Sequence, residues 1–309
     1  MIMIRRLFAM VFVSGLSIAS LAQAAPLVAA DIPAVHSLVA TVMGDAGEPE
    51  LLLDASASPH DYSLRPSEAR LLRKADLIIW TSAGLTPWLP KAMNSLAPEL
   101  NSLELLSDER SIRLPRRESA EFHHEEHDHG SADDGALADP HAWLSTDNAR
   151  IWLELIASRL STLDPDNAAT YASNAALGIQ ALDVLDSDVE ALFAEVRGRP
   201  FVVFHDSYHY FEEQYQFPAT AAISLSDASP SGIRQLDKLR ELVSQYPGIC
   251  IFSEPQFSER MVNTVTHKLD VKRGVLDPVG STFEPGAELY GNLIRALAST
   301  LSSCLSDES

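Results

Sequence analysis

Residues 164–198 read DPDNAATYASNAALGIQALDVLDSDVEALFAEVRG. Asp164 suits a helix cap, Pro165 a first turn and Gly198 a stop. Between them Leu182, Leu185, Val189, Leu192, Phe193 and Val196 recur every three or four residues, the spacing of one helical face. A helix of about 33 residues, rising ~1.5 Å per residue, runs to roughly 50 Å. That length exceeds an ordinary domain helix, so the segment reads as a rigid backbone joining two lobes, one before it and one after. The alternative is a break near Gly178 that splits it into two helices.

On both sides short apolar runs alternate with helical patterns, the sign of an α/β protein with parallel sheets. Before the long segment, residues 27–30, 50–53 and 76–80 read as strands, with helices over 33–43 and 66–74. Pro66 suits a first helical turn. After it, residues 201–204, 250–252 and 274–276 read as strands with helices between them. The expected organisation is an N-terminal lobe over 25–163, a linking helix over 164–198 and a C-terminal lobe over 199–309. Each lobe holds a parallel-type sheet flanked by helices.

The first 24 residues have the pattern of an export signal. Arg5 and Arg6 precede an uncharged apolar run from Leu7 to Leu21, and Ala22-Gln23-Ala24 places small residues at a cleavage position. The mature chain is expected to begin at Ala25, free in a periplasm; no later stretch is long and apolar enough to span a bilayer. The net charge of −20 argues against nucleic acid, whose phosphates require basic patches. In an exported protein, two cysteines, Cys250 and Cys304, suggest one disulfide. Residues 116–139 open with Arg116-Arg117-Glu118 and carry His123, His124, His127 and His129 among acids. Such a composition buries little apolar area and is expected to form a mobile loop.

Four residues lie just beyond an expected strand or at a turn into a helix: His60 in SPHDY, His141 in DPHAWL, His205 in VFHD and Asp277 in LDPVG. In open α/β sheets, ligands bind off the carboxyl ends of strands. Two of the four come from each side of the long segment, so they are placed to meet between the lobes. Three neutral imidazoles and one carboxylate suit tetrahedral zinc. Calcium and magnesium favour oxygen donors, and manganese usually takes more carboxylate or water. His209, four residues beyond His205, reads as a cleft residue that shares a helix face with it. His36 and His267 carry no motif and read as structural or surface residues.

The stretches SPHDYSLRPS (58–67), DPHAWL (139–144), FHDSYHYF (204–211), SEPQF (253–257) and LDPVG (276–280) resemble, in order, the motifs of the zinc-binding ZnuA proteins. These are metal-specific solute-binding proteins of ABC importers. The acidic histidine loop and the paired C-terminal cysteines extend the resemblance over nearly the whole chain after residue 24. It implies two α/β lobes with zinc held between them, and a monomer that captures zinc and delivers it to a membrane permease. His60, His141 and His205 match the family's three histidine ligands. Asp277 matches a metal-binding aspartate of related proteins, whereas some members use water or a glutamate beside the first histidine. That neighbour is Pro59 here, which leaves Asp277 or water, with Asp277 favoured. The loop histidines are candidates for an auxiliary zinc site. A manganese or iron importer subunit is the runner-up. A zinc hydrolase is the rival from another class, but no HExxH motif is present, and a closed four-ligand shell leaves no position for substrate.

Overall fold

The computed structural model describes residues 25–54, 57–122, 138–225 and 232–306. The export signal expected over 1–24 and His123, His124, His127 and His129 lie outside them.

The first lobe holds strands β1 (Val28–Ala30), β2 (Glu50–Leu51), β3 (Leu77–Trp80) and β4 (Asn101–Glu104), in the order β2-β1-β3-β4. The second holds β5 (Phe201–His205), β6 (Ala221–Ser224), β7 (Ile249–Ser253) and β8 (Val271–Val275), in the order β6-β5-β7-β8. All six pairings are parallel. Helices α1 (Pro33–Met43), α2 (Pro66–Lys74), α3 (Leu89–Leu96) and α4 (Thr146–Leu163) belong to the first lobe; α6 (His209–Tyr215), α7 (Ile233–Ser244), α8 (Arg260–Thr266) and α9 (Leu289–Leu305) to the second. Between the two sets runs α5 (Ala168–Phe193).

The inner strands β1, β3, β5 and β7 are apolar on both faces because both faces are covered. Alternate residues point opposite ways along a strand. Val28 and Ala30 of β1, Leu77 and Ile79 of β3, and Phe201 and Val203 of β5 all enter one central core. Ala29, Ile78 and Trp80 face a separate cluster under α2 and α3, and Val202 and Phe204 face a third under α7 and α8. The central core is continuous from β1 through α5 to α9. Tyr171, Leu182, Leu185, Val189 and Phe193 of α5 are buried in it, so one helical stripe packs against both lobes.

The helix differs from the sequence expectation at its ends. Its 26 residues span ~39 Å rather than ~50 Å. Pro165–Asn167 form a separate 3₁₀ turn, and Asp164 ends α4 instead of opening α5, its carboxylate accepting from Asn167 and the Tyr171 hydroxyl. Gly198, at φ +75°, lies five residues past the helix end. Leu192 is exposed, on the flank of the stripe. There is no break at Gly178. A Cβ there would stand 3.0 Å from side-chain carbons of Leu153 on α4 and Thr41 on α1, so the glycine allows close helix crossings. Strands β4 and β6 escaped the sequence reading because one is a polar edge and the other a short run of small residues. Strand β8 starts earlier than expected, since Lys272 and Arg273 are tolerated at a sheet edge.

The Cys250–Cys304 disulfide joins β7 to the last turn of α9, closing 54 residues. On the chain-entropy model such a loop is worth about 4 kcal/mol. Urea unfolding of Cys304→Ser should show stability falling by up to that amount and the slope rising, because the uncrosslinked unfolded chain exposes more surface; an unchanged midpoint and slope would mean that the bridge adds no stability.

Candidate metal centre

Each of the three histidines reaches one cleft from a different element. His60 sits in the irregular segment between β2 and α2. The Trp88 indole donates to the carbonyl of Pro59 at 2.9 Å, holding the backbone directly before His60. Tyr62 packs on Trp88 with ring centroids 5.6 Å apart and donates to Glu68 at 2.6 Å, and Glu68 also accepts the Arg65 N–H at the start of α2. His141 precedes a short 3₁₀ turn, Ala142–Leu144, that leads into α4, where Ser145 caps the Asn148 N–H. His205 is the last residue of β5.

The Nε2 atoms of His60 and His141 are 3.2 Å apart. The ring centroids of His141 lie 5.2 Å from those of both His60 and His205. Two nitrogens on one tetrahedral zinc, each ~2.0–2.1 Å from it, stand about 3.3 Å apart, so the His60–His141 spacing is already that of a ligand pair. The rings rest edge to face, and among the described residues no group of three His, Cys, Asp or Glu yet surrounds a common centre. Ser58, Pro59, Trp143, Glu254, Gln256, Phe257, Pro278 and Val279 complete the walls.

Two carboxylates orient two of the rings. His141 Nδ1 lies 2.7 Å from Asp139 Oδ1, and His205 Nδ1 lies 2.9 and 2.8 Å from the two oxygens of Glu254. A proton held on each Nδ1 leaves Nε2 as the lone-pair donor turned to the cleft. Burial alone would raise the Asp139 carboxyl, but its interaction with the His141 ring and the hydrogen bonds from that residue hold it well below the usual carboxylate range. The Tyr208 hydroxyl donates to Glu254 at 3.1 Å, and burial together with that carboxylate pushes its pKa well up. Asp206, next to His205, is pushed up to about 6 by burial, with Arg117 pulling the other way.

Asp277 is placed differently. It lies just past β8 and is absent from the cleft wall. One oxygen accepts from Gln256 Nε2 and from the N–H groups of Val279 and Gly280; the other accepts from the N–H and hydroxyl of Ser281. The carboxylate is engaged in closing its own turn. Trp143 supports the same loop by donating to the Pro278 carbonyl at 2.8 Å. His209 does not share a helix face with His205, because β5 ends at His205 and α6 begins only at His209. Its Nδ1 is 3.6 Å from Asp139 Oδ2, beyond hydrogen-bond reach. His36 is buried and bonded to the Pro49 carbonyl, and His267 is exposed. Sequence reading missed the orienting roles of Asp139 and Glu254. Both stand in the motifs DPH and SEP, and Asp139, two residues before a candidate ligand, was the available signal.

The family model described as "Zinc-uptake complex component A periplasmic", ZnuA, matches residues 28–304. Among curated proteins, the high-affinity zinc uptake system protein ZnuA of Paracoccus denitrificans is 38% identical over 91% of this chain and 92% of its own length. The protein of the same name from Brucella suis is 34% identical over 96% of each. Among solved structures, the Zn(II)-bound ZnuA-like domain of Streptococcus pneumoniae AdcA is 25% identical, with a TM-score of 0.67 over 90% of this chain and 99% of that one. A crystal structure of ZnuA shares the fold at 21% identity, with a TM-score of 0.74 over 91% of this chain and all of that one.

Replacing the orienting carboxylates tests the site's construction. Asp139→Asn and Glu254→Gln should each weaken zinc binding by roughly 10–100-fold in competition with a chromophoric chelator. Affinities equal to that of the unaltered protein would reduce both residues to structural hydrogen bonding.

Proposed function

The chain belongs to the ZnuA family of periplasmic zinc-uptake components, and on that premise we propose that it captures zinc, as a monomer, on His60, His141 and His205 before handing it to a membrane permease. It is a solute-binding protein of an ABC importer, and zinc is its cargo. The family makes it a transport protein and not an enzyme.

The observation that carries the ligand assignment is the 3.2 Å spacing of the His60 and His141 Nε2 atoms, with His205 5.2 Å from His141 between ring centroids. We assign closure of the triad on zinc to local movement of His205 or of the His60 segment rather than to a hinge between lobes. Shared core and cross-lobe hydrogen bonds oppose such a hinge. Ser37 donates to the Ala287 carbonyl, and the Tyr290 hydroxyl to the carbonyls of Trp143 and Ser145. We therefore assign release to local movement of the ligand segments when the permease docks.

We assign the fourth coordination position to water, because Asp277 reaches zinc only by surrendering hydrogen bonds that close its turn. This leaves a labile position and removes the closed-shell argument against hydrolysis. A hydrolytic base is not supplied, however, since Glu254 is engaged with His205 and Tyr208. Asp277 remains the competing ligand, and one titration series separates the two. Alanine at His60, His141 or His205 should weaken zinc binding by more than the 10–100-fold typical of outer-shell changes. Asp277→Asn should stay within about threefold of the unaltered protein, below that outer-shell range. A loss as large as that of the histidine variants would make Asp277 the fourth ligand. Unchanged affinity in all three alanine variants would overturn the site.

The finer placement in the periplasm rests on the residues preceding Ala25. We propose export with cleavage after Ala24, supported by the small residues at Ala22 and Ala24. Intact-mass measurement of the protein recovered from its native periplasm should give a chain starting at Ala25. A chain retaining residues 1–24 would contradict it.

A further inference from the structure

Arg116 and Arg117 open a segment that the sequence reading took for mobile loop. Residues 120–122 are instead paired with the second lobe's sheet. The Phe122 N–H donates to the Thr220 carbonyl at 3.0 Å and the Ala222 N–H to the Ala120 carbonyl at 2.9 Å, an antiparallel addition to the edge of β6. A free sheet edge offers this pairing to any extended chain, whatever its composition. Leu114 N–H donates to the Tyr210 hydroxyl at 3.0 Å.

The two arginines then reach opposite sides of the cleft. Arg116 Nε donates to the carbonyl of Ala138, directly before Asp139, the carboxylate that orients His141. Arg117 turns the other way. One of its terminal nitrogens donates to Asp206 at 2.8 Å and the other to Glu212 at 2.7 Å, with the guanidinium 4.0 Å from the centre of the Phe122 ring. Asp206 follows His205, and Glu212 lies on α6, so the guanidinium spans the turn directly behind His205. The Asp206 and Glu212 side chains are only 5% and 2% exposed, and that of Arg117 16%. A planar fork satisfies two carboxylates at fixed separation, which a lysine point charge does not.

We propose that Arg117 is a positioning residue for zinc: by bridging Asp206 and Glu212 it sets the angle at which His205 enters the cleft, while its neighbour Arg116 fixes the approach to His141. The proposal rests on the reading of His205 as a ligand. Its contribution is to limit how far the second lobe's imidazole must move to join the first lobe's pair on zinc.

The test compares Arg117→Met, Arg117→Lys and His205→Ala in the full mature chain. Zinc release is followed by chelator competition, and ligand geometry by the visible absorption of the Co(II)-loaded protein. Arg117→Met should release zinc about tenfold faster or more and change the Co(II) band, with Arg117→Lys intermediate. Release rates and Co(II) bands equal to those of the unaltered protein in both arginine variants overturn the proposal, even if thermal stability falls, because a purely structural ion pair predicts that result. Should Arg117→Met fail to fold, Arg117→Lys decides by the same two readouts. Normal binding in His205→Ala removes the ligand reading and this proposal with it. Lost binding in His205→Ala beside unaffected arginine variants removes this proposal alone.

Discussion

One helix buries its apolar face against two sheets at once, and the geometry of the metal site depends on that burial. Tyr171, Leu182, Leu185, Val189 and Phe193 on α5 are almost fully removed from water within a core that includes β1 and β3 on one side and β5 and α9 on the other. Each large side chain buried in this way is worth roughly 1.5–3 kcal/mol of transfer free energy. Opening the lobes as rigid bodies would expose part of this shared surface. The strand ends that carry His205 and Asp277 are therefore held at fixed distances from the segments that carry His60 and His141. A cation is met by a nearly assembled site, and little ordering is left to oppose binding.

Within that frame the electrostatics are arranged for a nitrogen-preferring cation. Asp139 and Glu254 do not line up as oxygen ligands; each faces the Nδ1 of an imidazole. Their hydrogen bonds pin the orientation of the rings, the usual outer-shell design around zinc-binding histidines. Carboxylates are costly if left unpaired in a buried site. Arg117 answers that need for Asp206 and Glu212, and the Tyr208 hydroxyl contributes to it for Glu254. Stability and ligand geometry are thus served by the same groups.

The uneven support of the three ligands bears on delivery. His141 and His205 stand beside cross-lobe contacts and have carboxylate partners. His60 belongs to an irregular segment whose preceding carbonyl is held by Trp88. Movement confined to that segment would open the coordination sphere without disturbing the shared core. A transporter needs tight capture and prompt release, and a site with one ligand on a separate segment reconciles the two.

Periodicity and punctuation in the chain were enough to settle the α/β class, the boundaries of α1 and α2, most of the stripe on α5, and the placing of the three histidines at a strand end or in segments that lead into a helix. These are local properties: a two- or four-residue period, a proline at a first turn and a histidine before a helix follow from nearest-neighbour geometry. The cysteine pairing was legible because only two cysteines exist. What needed the tertiary structure was every relation between distant residues. Asp277 has the same local signature as the histidines, yet five donors gathered by its own turn and by Gln256 hold its carboxylate out of the cleft wall. Arg117 sits in a polar, acidic stretch that looks unstructured, yet an open sheet edge 100 residues further along captures that stretch. Sequence determines which side chains are able to bind a metal. Only packing decides which of them point at one another, because direction is set by contacts made across the fold.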